Sequence, residues 1–585
     1  MNMIRFIREN PASLALLALL VLGLTWRQPW PYIVAIVAGL VILGTQSFER
    51  IRIGKWDLDY IALLTLVTAL FLGEWLAGAI IALMISLSRA LEQYGTRRAE
   101  ASLEELFRLL PKMALVERDG TFIEVPLQEI QIGETVSVRH REMVPLDGTL
   151  LSAGGLFSEA NLTGEMEPVE YRAGKRLRSG SVNMGEAVTL SVTGDFGHST
   201  YQSMLGIVMA GKREPSHLVR LAGQLNWPFT LVTLILSIGT YLVTGDMERF
   251  LAVLVVATPC PLLIAAPIAF LGGLSKAARR HIIIKTPETL ERLAKTTTIF
   301  FDKTGTLTLG IPALRTIVPL DVAVPETQAL ALASALEEHS LHPLARALVS
   351  ANRERHGEDL DATGVTEKLG EGIRGEVSGE RYRIEKSLST EGMAVELVGL
   401  AGPIARFVFD DVPKPGITVT FDYLKARGFT LSVLTGDKAA NAHRVLDQYG
   451  LPIIAECDPE RKVATVKAAQ ARGEVVAMVG DGVNDAPALA LADVGVVYSG
   501  TENSLSLEAA DAVILKRDIG LFQELIHISR RSYRIARESM VVGIGLSIVG
   551  MVAGALGYLP PVHGAILQEG IDALVIVNAL RAAYR

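Results

Sequence analysis

Eight apolar stretches alternate with two long polar segments along the chain. Four precede the first polar segment, two separate the polar segments, and two follow the second. Apolar helices of about 17 to 25 residues cross a bilayer, so this pattern predicts eight membrane spans, several of them at the short end of that range. The stretches are residues 13–26, 31–45, 58–72, 75–87, 227–243, 250–274, 540–559 and 562–580.

Basic residues gather on one side of these spans. They stand near the amino terminus, between spans two and three, beside both polar segments and after the last span, whereas the other side has little beyond Arg27 and Arg249. Cytoplasmic loops carry the excess of Lys and Arg. We therefore expect a multi-pass protein of the plasma (inner) membrane whose termini and polar segments face the cytoplasm.

The two polar segments differ in pattern. Residues 91–215 contain short alternating runs between glycine turns, such as 134–139 and 187–192, and they predict a small, mostly-β domain. Residues 276–535 alternate apolar strands with amphipathic helices, which predicts a doubly wound α/β domain. Residues 312–404 interrupt that alternation and are expected to form an inserted domain.

Composition agrees with membrane helices joined to soluble domains. Of the 585 residues, 50% are hydrophobic and 20% are charged, too apolar for an ordinary soluble enzyme and too charged for a protein wholly within the membrane. The net charge of -7 offers no basic surface for nucleic acid. Two cysteines far apart, Cys260 and Cys457, exclude a disulfide framework, a zinc ribbon and a CxxC metal-binding domain.

Three predicted strands run into polar sequences that carry carboxylates. Because ligands bind at the carboxyl ends of strands in open parallel sheets, these endings are expected to converge. Asp302, Asp481 and Asp485 would form an anionic cluster that needs a cation such as Mg²⁺, while Thr435 and Lys462 supply partners for a phosphoryl group. An ordinary turn explains one such ending but not all three together. The strands 297–301, 430–434 and 475–479 lead into DKTGTLT (302–308), TGD (435–437) and GDGVNDAP (480–487).

These three motifs, in this order, resemble those of the P-type ion-pumping ATPases, whose phosphorylation domain is haloacid-dehalogenase-like. The resemblance implies that Asp302 attacks the γ-phosphorus of ATP and becomes an aspartyl phosphate, with Lys462 neutralising the transferred group. Mg²⁺ would be held by Asp302, Asp481 and the Thr304 carbonyl. A P-loop is absent from the sequence. The remaining implied catalytic residues are Lys303, Thr435, Gly436, Asp437, Asn484 and Asp485.

The other soluble parts carry weaker motifs of the same family. The sequences 144–148 (VPLDG) and 162–165 (LTGE) resemble the actuator domain, which implies that Thr163 and Gly164 present Glu165 to orient water for dephosphorylation. In the insert, the resemblance implies ATP contacts from Glu337, His342, Pro343, Gly370 and Gly372. Leu341 departs from the pattern, because an acidic residue usually precedes the His-Pro pair. The run 370–375 also fits GxGxxG, a weak match to a dinucleotide-binding loop.

The sixth and the last membrane spans contain candidate ion ligands. Thr258, Pro259 and Cys260 precede Pro261 in the sixth span, where the prolines must unwind the helix and free carbonyls at mid-membrane. The last span carries Gln568, Glu569 and Asp572, which can share one helix face. One thiolate with hard oxygens suits Fe²⁺, Co²⁺, Ni²⁺ or Zn²⁺, whereas copper(I) prefers a second sulfur. Two alternatives to an ion site remain. The prolines of the sixth span could form only a structural kink around an inert cysteine, and the carboxylates of the last span could lie at the membrane interface.

The pairing of Thr-Pro-Cys with Gln-Glu-x-x-Asp resembles the heavy-metal (P1B) branch of the family, closest to its Thr-Pro-Cys subgroup (type 5). Such a protein would export a divalent metal through the bilayer at the expense of ATP, with Mg²⁺ as cofactor, and function as a monomer. A Cys-rich amino-terminal domain and a carboxy-terminal hemerythrin-like domain are not recognised. The alternatives are the catalytic subunit of a potassium-pumping complex, and a non-transporting membrane phosphatase or sensor.

The resemblance completes the expected architecture, a multidomain membrane protein with eight transmembrane helices, a mostly-β actuator domain, an α/β phosphorylation domain and an α+β nucleotide-binding insert. The expected divisions are 1–92 (spans one to four), 93–215 (actuator), 216–275 (spans five and six), 276–311 and 405–535 (phosphorylation), 312–404 (nucleotide binding) and 536–585 (spans seven and eight).

Overall fold

The chain forms two compact units in a computed structural model. Residues 1–295 with 524–585 form the first, here called the membrane unit, and residues 296–523 form the second, here called the sheet unit. The structure describes residues 11–52, 60–87, 90, 93, 113–118, 120–158, 169–195, 216–257, 260–340, 342–368, 372–387, 393–480, 485–498 and 510–584.

Helices occupy each of the apolar stretches in the membrane unit. Among the described residues, His217–Thr244 and Gly520–Ala555 are long and apolar enough to cross a membrane by length and composition; the others are shorter or less apolar. The sixth stretch is broken, because one helix ends at Val256 and the next begins at Cys260. The remaining helices are Pro11–Trp26, Trp30–Arg52, Tyr60–Leu72, Trp75–Leu87, Met247–Val256, Cys260–Arg279 and Pro561–Leu580.

A β-rich domain also belongs to the membrane unit. Its larger sheet has the strand order β2-β1-β3-β9-β4-β7, and its smaller sheet has the order β6-β5-β8. Residues of β9 alternate between buried and half-buried, which is the period-two pattern of a strand with one face on a core. The strands are β1 Met113–Arg118, β2 Thr121–Pro126, β3 Thr135–Val138, β4 Gly148–Leu150, β5 Gly154–Ser158, β6 Val169–Arg172, β7 Arg176–Leu177, β8 Val182–Asn183 and β9 Val188–Val192; strand β10 Ile282–Ile284 and helix Pro287–Lys295 follow the membrane helices.

A parallel sheet forms the centre of the sheet unit. Its strands lie in the order β22-β21-β20-β11-β18-β19, so β11 pairs with both β18 and β20. Phe301 of β11 packs against Phe421 and Phe522. The strands are β11 Thr298–Asp302, β18 Thr430–Leu434, β19 Ile453–Ile454, β20 Val476–Gly480, β21 Val494–Tyr498 and β22 Ala512–Ile514, joined by helices Ile417–Lys425, Ala439–Leu446, Pro459–Ala471 and Ala486–Leu491.

An antiparallel sheet forms the insert. Its strand order is β12-β17-β16-β15-β14-β13, and Leu336, Leu348 and Phe407 lie in the core between this sheet and two helices. The elements are β12 Thr308–Pro319, helices Glu326–Glu337 and Pro343–Glu354, β13 Ala362–Lys368, β14 Gly372–Val377, β15 Glu380–Lys386, β16 Met393–Gly399 and β17 Gly402–Pro413.

Two details differ from the sequence analysis. Strands β11 and β20 each begin and end one residue later than the pattern indicated, so Asp302 is the last residue of its strand, paired with Leu434. The expected divisions at 311/312 and 404/405 fall inside β12 and β17, which are twelve residues long each and pair with one another. Because these two strands run without interruption from the parallel sheet into the insert, no change in pattern marks the boundary.

Candidate functional site

The carboxyl ends of three adjacent parallel strands form the polar edge of the sheet unit. Asp302 ends β11, Thr435 follows β18, and Gly480 ends β20. Since β11 lies between the other two strands, residues far apart in sequence come together at this edge.

Lys462 lies between two carboxylates at this edge. Its Nζ is 2.6 Å from Oδ1 of Asp302 and 2.5 Å from Oδ1 of Asp485, and all three side chains are buried. The helix Pro459–Ala471 that carries Lys462 is capped by Asp458, which accepts the Arg461 N–H at 2.7 Å. Burial by itself would lower the pKa of Lys462, but the two carboxylates outweigh it and raise that pKa above its usual value. The lysine is therefore a fixed cation beside Asp302.

A second buried lysine, Lys303, links the DKTGTLT segment (302–308) to strand β17 of the insert. Lys303 Nζ is 2.8 Å from Oδ2 of Asp411 and is also paired with Asp437. Burial opposes the charge on Lys303, but these two carboxylates raise its pKa above the usual value. Asp411, near the end of β17, was not identified from the sequence, although the acidic pair 410–411 at the end of an apolar strand was a signal that could have found it.

The loop after Asp302 makes a tight turn. Gly305 has a φ of 71°, in the left-handed region that glycine adopts most readily, and its N–H donates to Thr308 Oγ1 at 3.2 Å. Thr304 is exposed, while the buried Thr306 hydroxyl has no hydrogen-bond partner among the described residues. The turn leaves Thr304 facing away from the core of the sheet.

Lys414 holds this turn, and it was not identified from the sequence. Its Nζ donates to the Gly305 carbonyl at 2.9 Å and lies 4.1 Å from the centroid of the Tyr498 ring, while its backbone N–H donates to Leu307 O at 2.8 Å. Lys414 is 2% exposed, so the ring and the carbonyl replace water around a buried ammonium. No sequence motif marks it, because its partners come from two separate segments, the turn after Asp302 and strand β21.

The predicted Thr435-Gly436-Asp437 group lies at the same edge. Thr435 is buried, and its hydroxyl oxygen accepts the Asp437 N–H at 3.2 Å. The Thr435 N–H donates to Ile454 O at 3.0 Å, which fixes the segment to β19. The Thr435 hydroxyl hydrogen can still be donated to a phosphoryl oxygen.

The chemistry of the donors at this edge fits Mg²⁺. Asp302 and Asp485 are two buried carboxylates that share one ammonium, and hard oxygen ligands are those that Mg²⁺ prefers. Asp481 and Asn484, which the sequence analysis assigns here, lie outside the described residues. Within the described residues, no group of three or more His, Cys, Asp or Glu side chains is arranged to hold a metal.

A cavity of about 1370 Å³ runs from this edge into the insert. Lys303, Asp411 and Asp437 line one end, and Glu337, Ile373 and Phe409 are among the residues that line the other. The cavity therefore joins a charged end at the parallel sheet to an end in the insert where apolar side chains such as Ile373 and Phe409 lie among charged ones, which suits a nucleotide with a polar triphosphate and a flat base.

Glu337 and His342 line the insert end of the cavity. Burial first, and then the charge of Glu367, raise the pKa of Glu337 to about 7. His342 caps helix Pro343–Glu354, since its ring Nδ1 accepts the Leu344 N–H at 3.2 Å. The neutral ring consequently carries its proton on Nε2.

Gly372 also lines the cavity and requires glycine. Its φ is 113°, and a Cβ there would lie 2.0 Å from Ile384 O. It begins the antiparallel strand β14 instead of a helix, so the dinucleotide-loop interpretation of this run is wrong. Gly370 lies outside the described residues.

Polar residues of the last span face its neighbours in the membrane unit. Gln568 and Asp572 are buried, and Gln568 Nε2 donates to Asp572 Oδ1 at 3.0 Å. Ser547 donates to Gln568 Oε1 at 3.3 Å, whereas Glu569 is half-buried. The helix Pro561–Leu580 contacts both Met247–Val256 and Cys260–Arg279, the two halves of the broken span.

Close packing joins this helix to the break. A Cβ on Gly564 would lie 2.9 Å from Cγ2 of Val256, and one on Gly550 2.6 Å from Cγ1 of the same residue. Val256, the last residue before the break, is thus held between two glycines. Thr258, Pro259 and the side chain of Cys260 lie outside the described residues, as do Thr163, Gly164 and Glu165.

Comparison with known proteins identifies the family. The model of the P-type ATPase actuator domain matches residues 108–209, and that of the haloacid dehalogenase-like hydrolases matches residues 296–493. A probable copper-exporting P-type ATPase V of Mycobacterium tuberculosis (strain ATCC 25618 / H37Rv) is 31% identical over 86% of this chain and 69% of its own length. A zinc/cadmium/lead-transporting P-type ATPase of Escherichia coli (strain K12) is 29% identical over 95% of this chain and 79% of its own.

Comparison with solved structures supports the same family. A crystal structure of a zinc-transporting PIB-type ATPase in the E2.Pi state superposes with a TM-score of 0.66, at 28% identity, over 99% of this chain and 100% of that one. The copper-exporting P-type ATPase of Bacillus subtilis (strain 168), at 30% identity, has about two thirds (66%) of its length covered by this chain.

The chain belongs to the P-type ATPases, membrane proteins that hydrolyse ATP with Mg²⁺ to move cations. Within that class it belongs to the heavy-metal (P1B) branch. The expected heavy-metal branch, fold class and enzyme class are thereby confirmed, and the potassium-pump and phosphatase alternatives are not favoured.

Proposed function

We propose that the protein exports a divalent transition-metal cation of the Fe, Co, Ni or Zn class across the plasma membrane, using an aspartyl phosphate on Asp302. Its termini, β-rich domain and sheet unit face the cytoplasm in this proposal, as the distribution of Lys and Arg indicates. The observation that carries it is the position of the Lys462 ammonium between the carboxylates of Asp302 and Asp485.

The phosphorylation step needs no general base. An Asp302 carboxylate oxygen forms a bond to the γ-phosphorus of ATP as the bond from that phosphorus to the β,γ-bridging oxygen breaks, and ADP leaves. Lys462 balances charge on the carboxylate before attack and on the phosphoryl group after it. Mg²⁺, when bound by Asp302, Asp481 and the Thr304 carbonyl, would neutralise phosphate charge.

The buried pairs keep the nucleophile in one position. Lys303 is held by Asp411 and Asp437, so the residue next to Asp302 is fixed to both the insert and the Thr435-Gly436-Asp437 segment. Preorganised charge of this kind lowers the barrier because little reorganisation is needed during reaction. Hydrolysis of the phosphoenzyme is assigned to water oriented by Glu165.

The transported ion is assigned to the broken span and the last span. Cys260, with Thr258 and Pro259 at the break, and Gln568, Glu569 and Asp572 supply one sulfur and several oxygens. The second cysteine, Cys457, is buried in the sheet unit, where its Sγ donates to Ile454 O at 3.4 Å. A site with one thiolate suits a borderline divalent ion better than copper(I), although some relatives are named for copper.

Transport into sealed vesicles tests this function. In inside-out vesicles with purified protein, ATP should drive accumulation of one or more of Fe²⁺, Co²⁺, Ni²⁺ and Zn²⁺, and the same ions should stimulate ATP hydrolysis. Cys260→Ala and Asp572→Ala should lose that stimulation, because each removes an ion ligand. Cys457→Ala is the matched control and should retain it. Wild-type stimulation in both membrane variants would refute this ion site, and stimulation by copper(I) alone would refute the divalent class.

A further inference from the structure

Arg444 lies on the wall of the nucleotide cavity and has no role in the steps above. It stands near the end of helix Ala439–Leu446, which follows the Thr435-Gly436-Asp437 segment. Its Nη2 is 3.0 Å from Asp410 Oδ1, an ion pair, and donates a hydrogen bond to Asn441 Oδ1 at 2.9 Å. These two contacts orient the guanidinium along the cavity wall.

Asp410 connects this arginine to the insert. It lies on β17, next to Asp411, in register with Ala313 of β12. Its second carboxylate oxygen, Oδ2, is 3.6 Å from Nε of Arg315. The carboxylate therefore lies between a guanidinium of the parallel-sheet part and one of the insert's first strand, so its position and that of Arg444 are mutually fixed.

The guanidinium retains donors for a ligand. Arginine has five N–H donors in a planar fork, and both recorded contacts use Nη2. Within the described residues, Nε and Nη1 have no hydrogen-bond partner, and the side chain is 31% exposed toward the cavity and solvent. An arginine fork matches phosphate oxygens in geometry and charge.

The charges around it favour an anion. Lys303, at the same end of the cavity, is already paired with Asp411 and Asp437. Among the described residues lining this end, Lys303 has its charge matched by two carboxylates, whereas Arg444 has one carboxylate partner and Lys438 has no ion pair. Arg444 differs from Lys438 in being held in place by two side chains.

We propose that Arg444 is a phosphate-binding residue for ATP, with Asp410 as the residue that positions it. The proposal rests on the proposed function, since it assigns to Arg444 a contact with the ATP that phosphorylates Asp302. The Nε and Nη1 donors bind a phosphate oxygen of the nucleotide while Nη2 stays on Asp410 and Asn441. Adenosine, which carries no phosphate, gains nothing from this arginine.

Binding to the full chain in lipid tests the proposal without catalysis. The probes are β,γ-methylene-ATP, which cannot transfer its γ-phosphoryl group, and adenosine. Arg444→Gln should raise the dissociation constant of the ATP analogue about tenfold and leave that of adenosine unchanged. Arg444→Lys should raise it less, and Asp410→Asn about twofold to threefold, because an unrestrained arginine still carries its charge. Arg472→Gln is the matched control, since Arg472 pairs with Glu474 away from the cavity.

The outcomes separate this contact from a structural role. An unchanged dissociation constant for the analogue in Arg444→Gln, or an equal loss for adenosine, would overturn the proposal. Phosphorylation of Asp302 by inorganic phosphate, which uses no nucleotide, should remain at the wild-type level in Arg444→Gln, and its loss would likewise count against the proposal. Because analogue binding does not depend on phosphoenzyme, the absence of phosphoenzyme in the unaltered protein would refute the proposed function alone.

Discussion

The two ends of the nucleotide cavity hold their titratable groups in opposite ways. At the parallel sheet, buried charges are matched, with Lys462 between Asp302 and Asp485 and Lys303 between Asp411 and Asp437. In the insert, Glu337 is buried and has no ion pair among the described residues, so burial first and then the charge of Glu367 raise its pKa toward neutrality. At the parallel sheet, the buried side chains stay charged because each has a partner of opposite charge. In the insert, burial favours the neutral form of Glu337, which has no such partner within the described part of the chain.

The difference has a consequence for function. A matched cluster keeps a nucleophilic carboxylate ionised and fixed, as attack on phosphorus requires. A buried, neutral acid beside apolar side chains such as Ile373 and Phe409 instead suits a flat, uncharged base. Three substitutions sharpen this contrast, and each has a matched control on the same element or in the same contact.

Lys462→Met should have the largest effect. It leaves the carboxylates of Asp302 and Asp485 buried without their shared cation, and breaking such a pair costs about 3 to 5 kcal/mol in the free energy of unfolding. Phosphoenzyme formation from ATP should fall below detection, as measured by acid-quenched labelling, while thermal unfolding of the full chain shifts to lower temperature. Lys467→Met removes an exposed lysine of the same helix and should change neither quantity. Normal labelling in Lys462→Met would show that the cluster does not need its cation.

Lys414→Met should have an intermediate effect. Without the ammonium on the Gly305 carbonyl, the turn after Asp302 loses one buried contact, and the rate of phosphorylation from ATP should fall about tenfold. Lys414→Arg should restore part of the rate, because it retains the charge. Tyr498→Phe keeps the ring under Lys414 and removes a hydroxyl that has no hydrogen-bond partner among the described residues, so its rate should equal that of the unaltered protein. If Lys414→Met and Lys414→Arg were phosphorylated from ATP as fast as Tyr498→Phe and the unaltered protein, the role of Lys414 would be contradicted.

Glu337→Gln should have the smallest effect, and one that depends on pH. The pKa of Glu337 is about 7 in the folded protein and lies near 4.5 when unfolded, so the folded chain binds more protons between these values. Stability therefore falls as pH rises from about 4.5 to 7. Glu337→Gln removes this loss and should stabilise the protein at pH 8 by about 2 to 4 kcal/mol, with little change near pH 4.5.

The control for this pH effect is the neighbouring residue. Glu338 is exposed and paired with Arg353 at 2.9 Å, so Glu338→Gln should show no such dependence on pH. Thermal unfolding of the full-length variants at pH 5 and pH 8 provides the comparison. A gain for Glu337→Gln that is the same at both values would rule out the titration of Glu337 as its cause.

The family could be identified from the sequence because the motifs that carry its reacting groups stand directly after predicted strands. Asp302 and Thr435 stand in motifs whose residue types are needed for the chemistry, and the structure places them with Lys462 at one edge of one sheet. The apolar stretches likewise located the membrane helices, since length and hydropathy are local properties.

Residues that act through tertiary contacts could not be predicted from the sequence in this way. Asp411, Lys414 and Arg444 belong to no motif, because each gains its meaning from a partner in another segment. The predicted divisions of the insert fall within the paired strands β12 and β17, and no local change in sequence pattern marks a boundary there. Glu569 illustrates the limit of helix spacing, because its i,i+3 relation to Asp572 did not make it equally buried.

The measurement that tests the central claim most directly is labelling of Asp302. The full chain is incubated with γ-labelled ATP, Mg²⁺ and the stimulating metal, quenched in acid, and treated with hydroxylamine, which cleaves acyl phosphates. We expect an acid-stable label that hydroxylamine removes and that is absent from Asp302→Asn, with Asp447→Asn, an exposed aspartate paired with His443, labelled as in the unaltered protein. A label that persists in Asp302→Asn, or none in natively folded wild-type protein with the stimulating metal at saturation, would contradict the account.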